Sequence, residues 1–261
     1  MSSAPAAAVL GSHARPNAGA TDASSSMQDS PAAYAFAILG RCDAMLEAQL
    51  IASTTILNRT RPRFPLISLV GCEDPGKNAA LCRRLQHAGI RPVVIDVRAL
   101  TSKPCRGKYW DYGRNKNYSF RHTMGKLALW NLTRYQVLLF IDSDAAVLRN
   151  VDHIIEMMLG RPEVGHAVAV DGCPTLSAAA ASSQINTGVW AVRPSQTAYR
   201  SLTDFWRGSM VPCELGDQTV AQHFFRLTPR RRAKLAPFEQ VRLHQGYNLQ
   251  TEHQRVPECL C

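Results

Sequence analysis

Short apolar runs alternate along this chain with stretches in which apolar residues recur every three or four positions. "YAFAIL" (34–39), "PLISLVG" (65–71), "PVVIDV" (92–97), "VLLFI" (137–141), "AVAV" (167–170) and "TGVWAV" (187–192) read as strands. Between them lie helical patterns. Residues 43–57 form one with an acid, Asp43, at its start, and residues 78–89 form another closed by Gly89. "RHTMGKLALWNL" (121–132) is a third. In "VDHIIEMM" (151–158), Val151, Ile154, Ile155 and Met158 fall at i, i+3, i+4 and i+7 and predict a core-facing stripe. Residues 195–206 place Ala198, Leu202 and Phe205 on one helix face, with Tyr199 and Trp206 alongside. Residues 217–225 do the same with Val220, Ala221, Phe224 and Phe225. These aromatics read as core. Such alternation predicts an α/β fold with a mostly parallel sheet covered by helices, in which ligands bind beyond the carboxyl ends of the strands.

Composition narrows this picture without changing it. With 261 residues, 46% hydrophobic and 19% charged, the chain has the balance of a globular α/β domain. No apolar run approaches the roughly 18 residues of a membrane span. Residues 1–32, rich in Ala, Ser and Pro, read as a disordered low-complexity leader or a weak organelle-targeting peptide, and residues 33–261 as one domain. A net charge of +10 favours anionic partners such as a phosphorylated small molecule. The densest basic run, "PRRRAK" (229–234), lacks the interleaved aromatics of a nucleic-acid surface and reads as a solvated loop. The eight cysteines contain no C-x-x-C pair, and the closing "CLC" is too short for a zinc site without partners elsewhere. Reduced, structural thiols in an intracellular compartment are therefore expected.

One feature is at odds with its apolar setting. The run 137–141 ends in two acids, Asp142 and Asp144, flanking Ser143. Carboxylates at the end of a buried strand are unfavourable unless a cation or ligand pairs with them. At i and i+2 on an extended segment both point the same way and can reach one ion. Hard oxygen ligands suit Mn²⁺ or Mg²⁺, which keep coordination sites for water and phosphates.

The wider stretch "KLALWNLTRYQVLLFIDSDAAVLRNVDHI" closely resembles the glycogenin and galactinol synthase family of retaining glycosyltransferases, which have the GT-A nucleotide-diphospho-sugar transferase fold. The pattern is carried by Lys126, Trp130, Tyr135, Asp142, Asp144, Asn150 and Asp152. "INTGVWAVRPSQTAY", with Asn186, Gly188 and Pro194, looks like the family's N-x-G strand and the helix after it. "GDQTVAQHFF", with Gly216, Asp217 and Gln218, looks like its G-D-Q helix, and "YNL" at 247–249 also matches.

The resemblance implies specific roles. Asp142 and Asp144 would hold Mn²⁺ (or Mg²⁺) bridging the diphosphate of a UDP-sugar, and Lys126, Ser143 and Gly188 would help to bind that donor. Asn186 would face the sugar ring, with Asp217 near the anomeric carbon and Gln218 beside it. Read without the resemblance, Asp217 is a helix N-cap. Asn150 and Asp152 are expected to be structural, with Asp152 capping the helix that starts at 151–153.

Two departures accompany the match. Ala44 stands where the family has a Tyr after its first strand, and nothing after Asn248 matches the H-F-x-G-x-x-K-P-W segment that supplies the family's third metal ligand. The expected activity is hexosyl transfer from a nucleotide sugar to a carbohydrate, polyol or protein acceptor. The competing expectation is a truncated or non-catalytic member of the fold that binds nucleotide weakly or serves as a partner subunit. A cytoplasmic protein is expected, with the Golgi or another organelle left open, and a homodimer is compatible with this reading. No nucleic-acid partner is expected.

Overall fold

A computed structural model of the chain describes residues 30–102, 120–170, 185–208, 216–226 and 239–243. The basic run at 229–234, "YNL" at 247–249, the closing cysteine pair and the leader through residue 29 lie outside the described residues.

Among the described residues, seven strands form one sheet in the order β3-β2-β1-β4-β6-β5-β7. They are β1 (Ala32–Gly40), β2 (Leu66–Cys72), β3 (Arg91–Val94), β4 (Val137–Ile141), β5 (Val164–Val170), β6 (Ile185–Val192) and β7 (Glu239–Leu243). The pairs β1–β2, β1–β4, β2–β3 and β5–β7 are parallel, whereas β6 is antiparallel to both β4 and β5. β6 alone therefore runs against the rest. The sheet is mostly parallel, as expected, and its single reversal matters to the site.

Alternation along the strands loads both faces of the sheet with apolar side chains. On β4, Leu138 and Phe140 enter one core while Val137, Leu139 and Ile141 enter the other. The first core takes α5 (Gln196–Gly208), α6 (Asp217–Arg226) and a 3₁₀ helix, η1 (Phe120–Asn131). It holds Trp130, Trp190, Trp206 and Phe225. The second core takes α1 (Ala44–Arg59), α2 (Gly76–His87) and α4 (Asp152–Gly160). A single turn, α3 (Arg98–Thr101), lies shortly after β3.

Local signals explain the element ends. Asp43 caps α1 by accepting from the N–H groups of Met45 and Leu46. Gly89, at φ +75, follows α2 as expected.

Three expectations are corrected. The helix expected over 121–132 is a 3₁₀ rather than an α-helix, Phe120–Asn131, so positions three apart eclipse one another. One row, Met124, Leu127 and Trp130, is fully buried. Another, His122 and Gly125, lies against the end of β1, where a Cβ on Gly125 would sit 2.9 Å from Leu39. The third row, Thr123 and Lys126, faces the acids that end β4 and begin α6.

Asp152 does not cap α4. Val151 occupies the cap position without a side-chain bond, and the buried Asp152 carboxylate turns inward instead. It accepts from the Tyr34 hydroxyl (2.8 Å), the Arg63 backbone N–H (3.2 Å) and the Asn150 amide (2.8 Å). Asn150 Oδ1 in turn accepts the Asp152 N–H at 2.8 Å. Both residues are structural, as expected, but through a different set of bonds.

Third, two of the cysteines are not thiols. Cys42, just beyond β1, and Cys72, the last residue of β2, form a disulfide, with Cα atoms 5.4 Å apart. Gly40 pairs with Cys72 across β1 and β2, which brings the two sulfurs together although they are 30 residues apart in sequence. Cys82 is free and partly buried.

Candidate active site

The carboxyl ends of β1, β2 and β4 open on one edge of the sheet, and the start of β6 joins them because β6 runs in reverse. Val189 pairs with Ile141, and the Asp142 N–H donates to the Gly188 carbonyl at 2.8 Å. The reversal thus sets Asn186, Thr187 and Gly188 beside the two acids. Asn186 is buried and folds back on its own strand, its Oδ1 accepting the Gly188 N–H at 2.7 Å.

β4 ends at Ile141, and the acids do not continue it as an extended segment. A turn forms instead, closed by the Ala145 N–H donating to the Asp142 carbonyl at 3.0 Å. Asp142 is half-buried, Asp144 is exposed, and the turn keeps them close enough to interact. Burial around the carboxyl and repulsion from Asp142 both raise the pKa of Asp144 above 3.8. The turn is pinned from α1, whose Ser53 hydroxyl donates to the Ser143 carbonyl at 2.6 Å.

Lys126 is buried, and its ammonium lies 2.7 Å from Asp142 Oδ1 and 3.7 Å from Asp217 Oδ2. It also rests over the Phe140 ring, 5.0 Å from the centroid. Asp217 is the first residue of α6 and is almost wholly buried. Its N–H donates to the Thr123 hydroxyl at 3.3 Å, and its carboxylate is hydrogen-bonded by the Thr187 and Thr123 side chains. Burial pushes the Asp217 carboxyl above its ordinary pKa, against the pull of Lys126 and these two hydroxyls.

The oxygen of Asp217 nearest Lys126, Oδ2, accepts no hydrogen bond among the described residues although it is buried. Buried carboxylate oxygens without a donor are rare, and each calls for an explanation such as a catalytic role or a bound ion. A plain cap would instead spend its oxygens on helix N–H groups.

At the other end of η1, Arg121 and His122 converge on Glu73, which follows β2. Arg121 Nη2 donates to Glu73 Oε1 at 2.9 Å, and His122 Nε2 lies 3.1 Å from the same oxygen. Arg98 donates to the Glu73 carbonyl at 2.7 Å. Burial lowers the His122 pKa; Glu73 opposes this, while Arg121 and Arg41 add to it.

The structure therefore brings Lys126, Asp142, Ser143, Asp144, Asn186, Gly188 and Asp217 to one edge. Gln218 follows Asp217 on α6 and is half-buried. Thr123, Thr187 and Ser53 are missed in the sequence. Thr187 lies between two residues already singled out, and Thr123 is three positions before Lys126, a signal visible only once η1 is read with three residues per turn. Ser53 carries no local signal.

Two carboxylates on one turn, one of them with its charge disfavoured by the other, suit a hard divalent cation that takes its remaining ligands from water and phosphate. Among the described residues no group of three or more His, Cys, Asp or Glu side chains gathers to complete such a site. No helix among them is long and apolar enough to cross a membrane.

No family model matches the chain. Glycogenin-1 of Caenorhabditis elegans is 34% identical over 105 residues, which are 40% of this chain and 21% of glycogenin-1. Among solved structures, the glycosyltransferase GlyE of Streptococcus pneumoniae TIGR4 matches with a TM-score of 0.54 at 18% identity, over 85% of this chain and 47% of GlyE. An active-site mutant of LgtC matches with a TM-score of 0.53 at 13% identity, over 73% of this chain and 69% of LgtC. The fold is that of the GT-A glycosyltransferases, and the glycogenin-1 match bears out the resemblance read from the motifs. The chain spans only about a fifth of the length of glycogenin-1 in that match.

Proposed function

We propose that this protein is a metal-dependent, retaining glycosyltransferase that moves a hexosyl group from a UDP-sugar to a carbohydrate, polyol or protein acceptor. The observation that carries this reading is the ion-paired chain Asp142–Lys126–Asp217, in which Asp217 Oδ2 has no hydrogen-bond donor among the described residues and Asp142 adjoins a second carboxylate.

In this reading Asp142 and Asp144 would hold Mn²⁺ or Mg²⁺, which would supply charge stabilisation to a leaving diphosphate. Lys126 places a fixed cation beside that diphosphate, aimed by its contact with Asp142 and its seat over Phe140. Thr123 and Thr187 fix the Asp217 carboxylate so that Oδ2 faces the reacting carbon, where positive charge develops as the sugar–phosphate bond breaks. Asn186, held through Gly188, lines the sugar side, and Gln218 follows Asp217 along α6. The burial of Lys126 and Asp217 strengthens each of these interactions.

The test is calorimetric titration of UDP with and without Mn²⁺. Wild type is expected to bind UDP at least about tenfold more tightly with the metal, and Asp142→Asn and Asp144→Asn to lose most of that gain. Equal UDP affinity in wild type and the double variant, with the metal present, overturns the assignment.

A further inference from the structure

The edge that carries the candidate site also holds a covalent tie that the transfer chemistry does not use. β1 and β2 are already hydrogen-bonded through Gly40 and Cys72, and the Glu73 N–H donates to the Gly40 carbonyl at 2.7 Å. The Cys42–Cys72 disulfide therefore adds little to strand pairing. What it restrains is the turn 40–43, where Gly40 has φ +86 and Cys42 has φ +49. A non-glycine residue in the left-handed region persists only where its surroundings over-determine it. A bond to the end of the neighbouring strand is such a restraint.

That turn touches both elements that aim the site. Gly40 abuts His122 on η1, so closely that a Cβ at Gly40 would lie 2.5 Å from the His122 Cγ. η1 then presents Thr123 and Lys126. On the other side, Asp43 caps α1, and α1 reaches the acidic turn through the bond from Ser53 to Ser143.

We infer that the Cys42–Cys72 disulfide is a redox clasp that sets donor affinity at this edge, an inference that rests on the nucleotide-sugar reading. Oxidised, it fixes the turn 40–43 and with it the approach of η1 and α1 to the acids. Reduced, the turn relaxes and a nucleoside diphosphate binds more weakly. The reductant is a small dithiol. Its thiolate attacks Cys42 Sγ, the less buried sulfur, the S–S bond breaks, and Cys72 leaves as a thiolate that takes a proton from water. The second thiol, losing its proton, then displaces Cys42, which leaves as a thiolate and is protonated in turn. Two electrons pass from the dithiol, which becomes a cyclic disulfide, to the two cysteines. By linkage, bound nucleotide must oppose reduction by the same factor that reduction weakens binding.

The experiment uses the full chain. Differential alkylation before and after dithiol treatment should find Cys42 and Cys72 protected only in the oxidised protein, with Cys82, free among the described residues, as an internal reference. UDP affinity in the presence of Mg²⁺ is then compared for the oxidised chain, the reduced chain, and Cys42→Ser and Cys72→Ser. The reduced chain and both variants should bind about fivefold or more weakly than the oxidised chain. The concentration of dithiol needed for half-reduction should rise with UDP and Mg²⁺ by a matching factor. The reduced wild-type chain needs no substitution, so a folding defect in a serine variant leaves the comparison intact. Alkylation of both cysteines without reductant, or equal UDP affinity in the oxidised and reduced chains, overturns the clasp alone. No UDP binding in any form overturns the donor-site reading, and the clasp with it.

Discussion

Lys126 serves two carboxylates at once, and they do not depend on it equally. Asp142 is half-exposed and only 2.7 Å from the ammonium, whereas Asp217 is buried, stands 3.7 Å away and has one oxygen without a hydrogen-bond donor among the described residues. Burial thus disfavours the charge of Asp217, as expected of a group kept for chemistry rather than for stability. Asp217→Asn keeps the size of the side chain and its capacity to bond Thr123 and Thr187, and it leaves Lys126 paired with Asp142. Sugar transfer should fall by about 10²-fold or more while UDP affinity stays within about threefold, since a group beside the reacting carbon acts mainly in the transition state. The same substitution should raise the melting temperature at neutral pH by about 2–4 °C, the shift that roughly 1 kcal/mol gives in a domain of this size. The sign follows from the raised pKa of Asp217. A carboxyl whose folded pKa lies above 3.8 favours the fold most below that value, and the benefit is lost as pH rises through the folded pKa. The melting gap between Asn and Asp should therefore open on going from pH 3 to pH 7. Unchanged turnover would reduce Asp217 to a structural role, and a gap that closes toward neutral pH would contradict its raised pKa.

At the level of elements, the loop after the acidic turn is held by Asp152 rather than by its own backbone. One buried carboxylate gathers the Tyr34 hydroxyl from β1, the Arg63 N–H from the segment before β2 and the Asn150 amide. It thereby ties β1, the approach to β2 and the start of α4 together behind the site. Burial and the bond to Asp152 also push the Tyr34 pKa well above its ordinary value, so this hydroxyl stays a donor at every accessible pH. Asp152→Ala strands the buried Tyr34 hydroxyl without its acceptor. It should lower stability by roughly 3 kcal/mol, seen as a fall of roughly 6–12 °C in melting temperature. A loss no greater than that from Asp204→Ala, on the exposed face of α5, would show that the hub is dispensable. Sequence showed that Asn150 and Asp152 were structural but not how, because their partners lie about 90 and 118 residues away. The buried strands were legible for the opposite reason: each is a continuous apolar run whose character is local. β7, with the sequence "EQVRL", has only two apolar residues on an outer strand and gave no such run. η1 was legible as a helix but not as a 3₁₀ helix, since apolar spacing alone does not separate three residues per turn from 3.6. The disulfide was illegible because it depends on which strands become neighbours.

Over the whole molecule, the candidate site exists because β6 runs against its neighbours. A wholly parallel sheet would carry Asn186, Thr187 and Gly188 to the opposite edge from Asp142. The reversed β6 instead brings them beside β4, while η1 and α6, packed on the same core face, deliver Lys126 and Asp217. Four elements spanning about a hundred residues of sequence thus meet at one charged cluster, and a ligand that bridges them should stabilise the fold as a unit. UDP with Mg²⁺, at about 100 times its Kd, should add about 2.7 kcal/mol to stability. In a domain of this size that is a rise of about 5–11 °C in melting temperature. The melt can be followed by intrinsic fluorescence, because Trp130, Trp190 and Trp206 are all buried in the core that carries η1, α5 and α6. Either component alone should give a much smaller rise, since neither the carboxylate pair nor Lys126 by itself contacts the whole of a metal diphosphate. A rise of full size with UDP alone, or an undiminished rise in Asp144→Asn, would remove the cation from the site. No rise under any condition would mean that the buried carboxylate of Asp217 and the crowded acids at 142 and 144 serve something other than a nucleotide diphosphate.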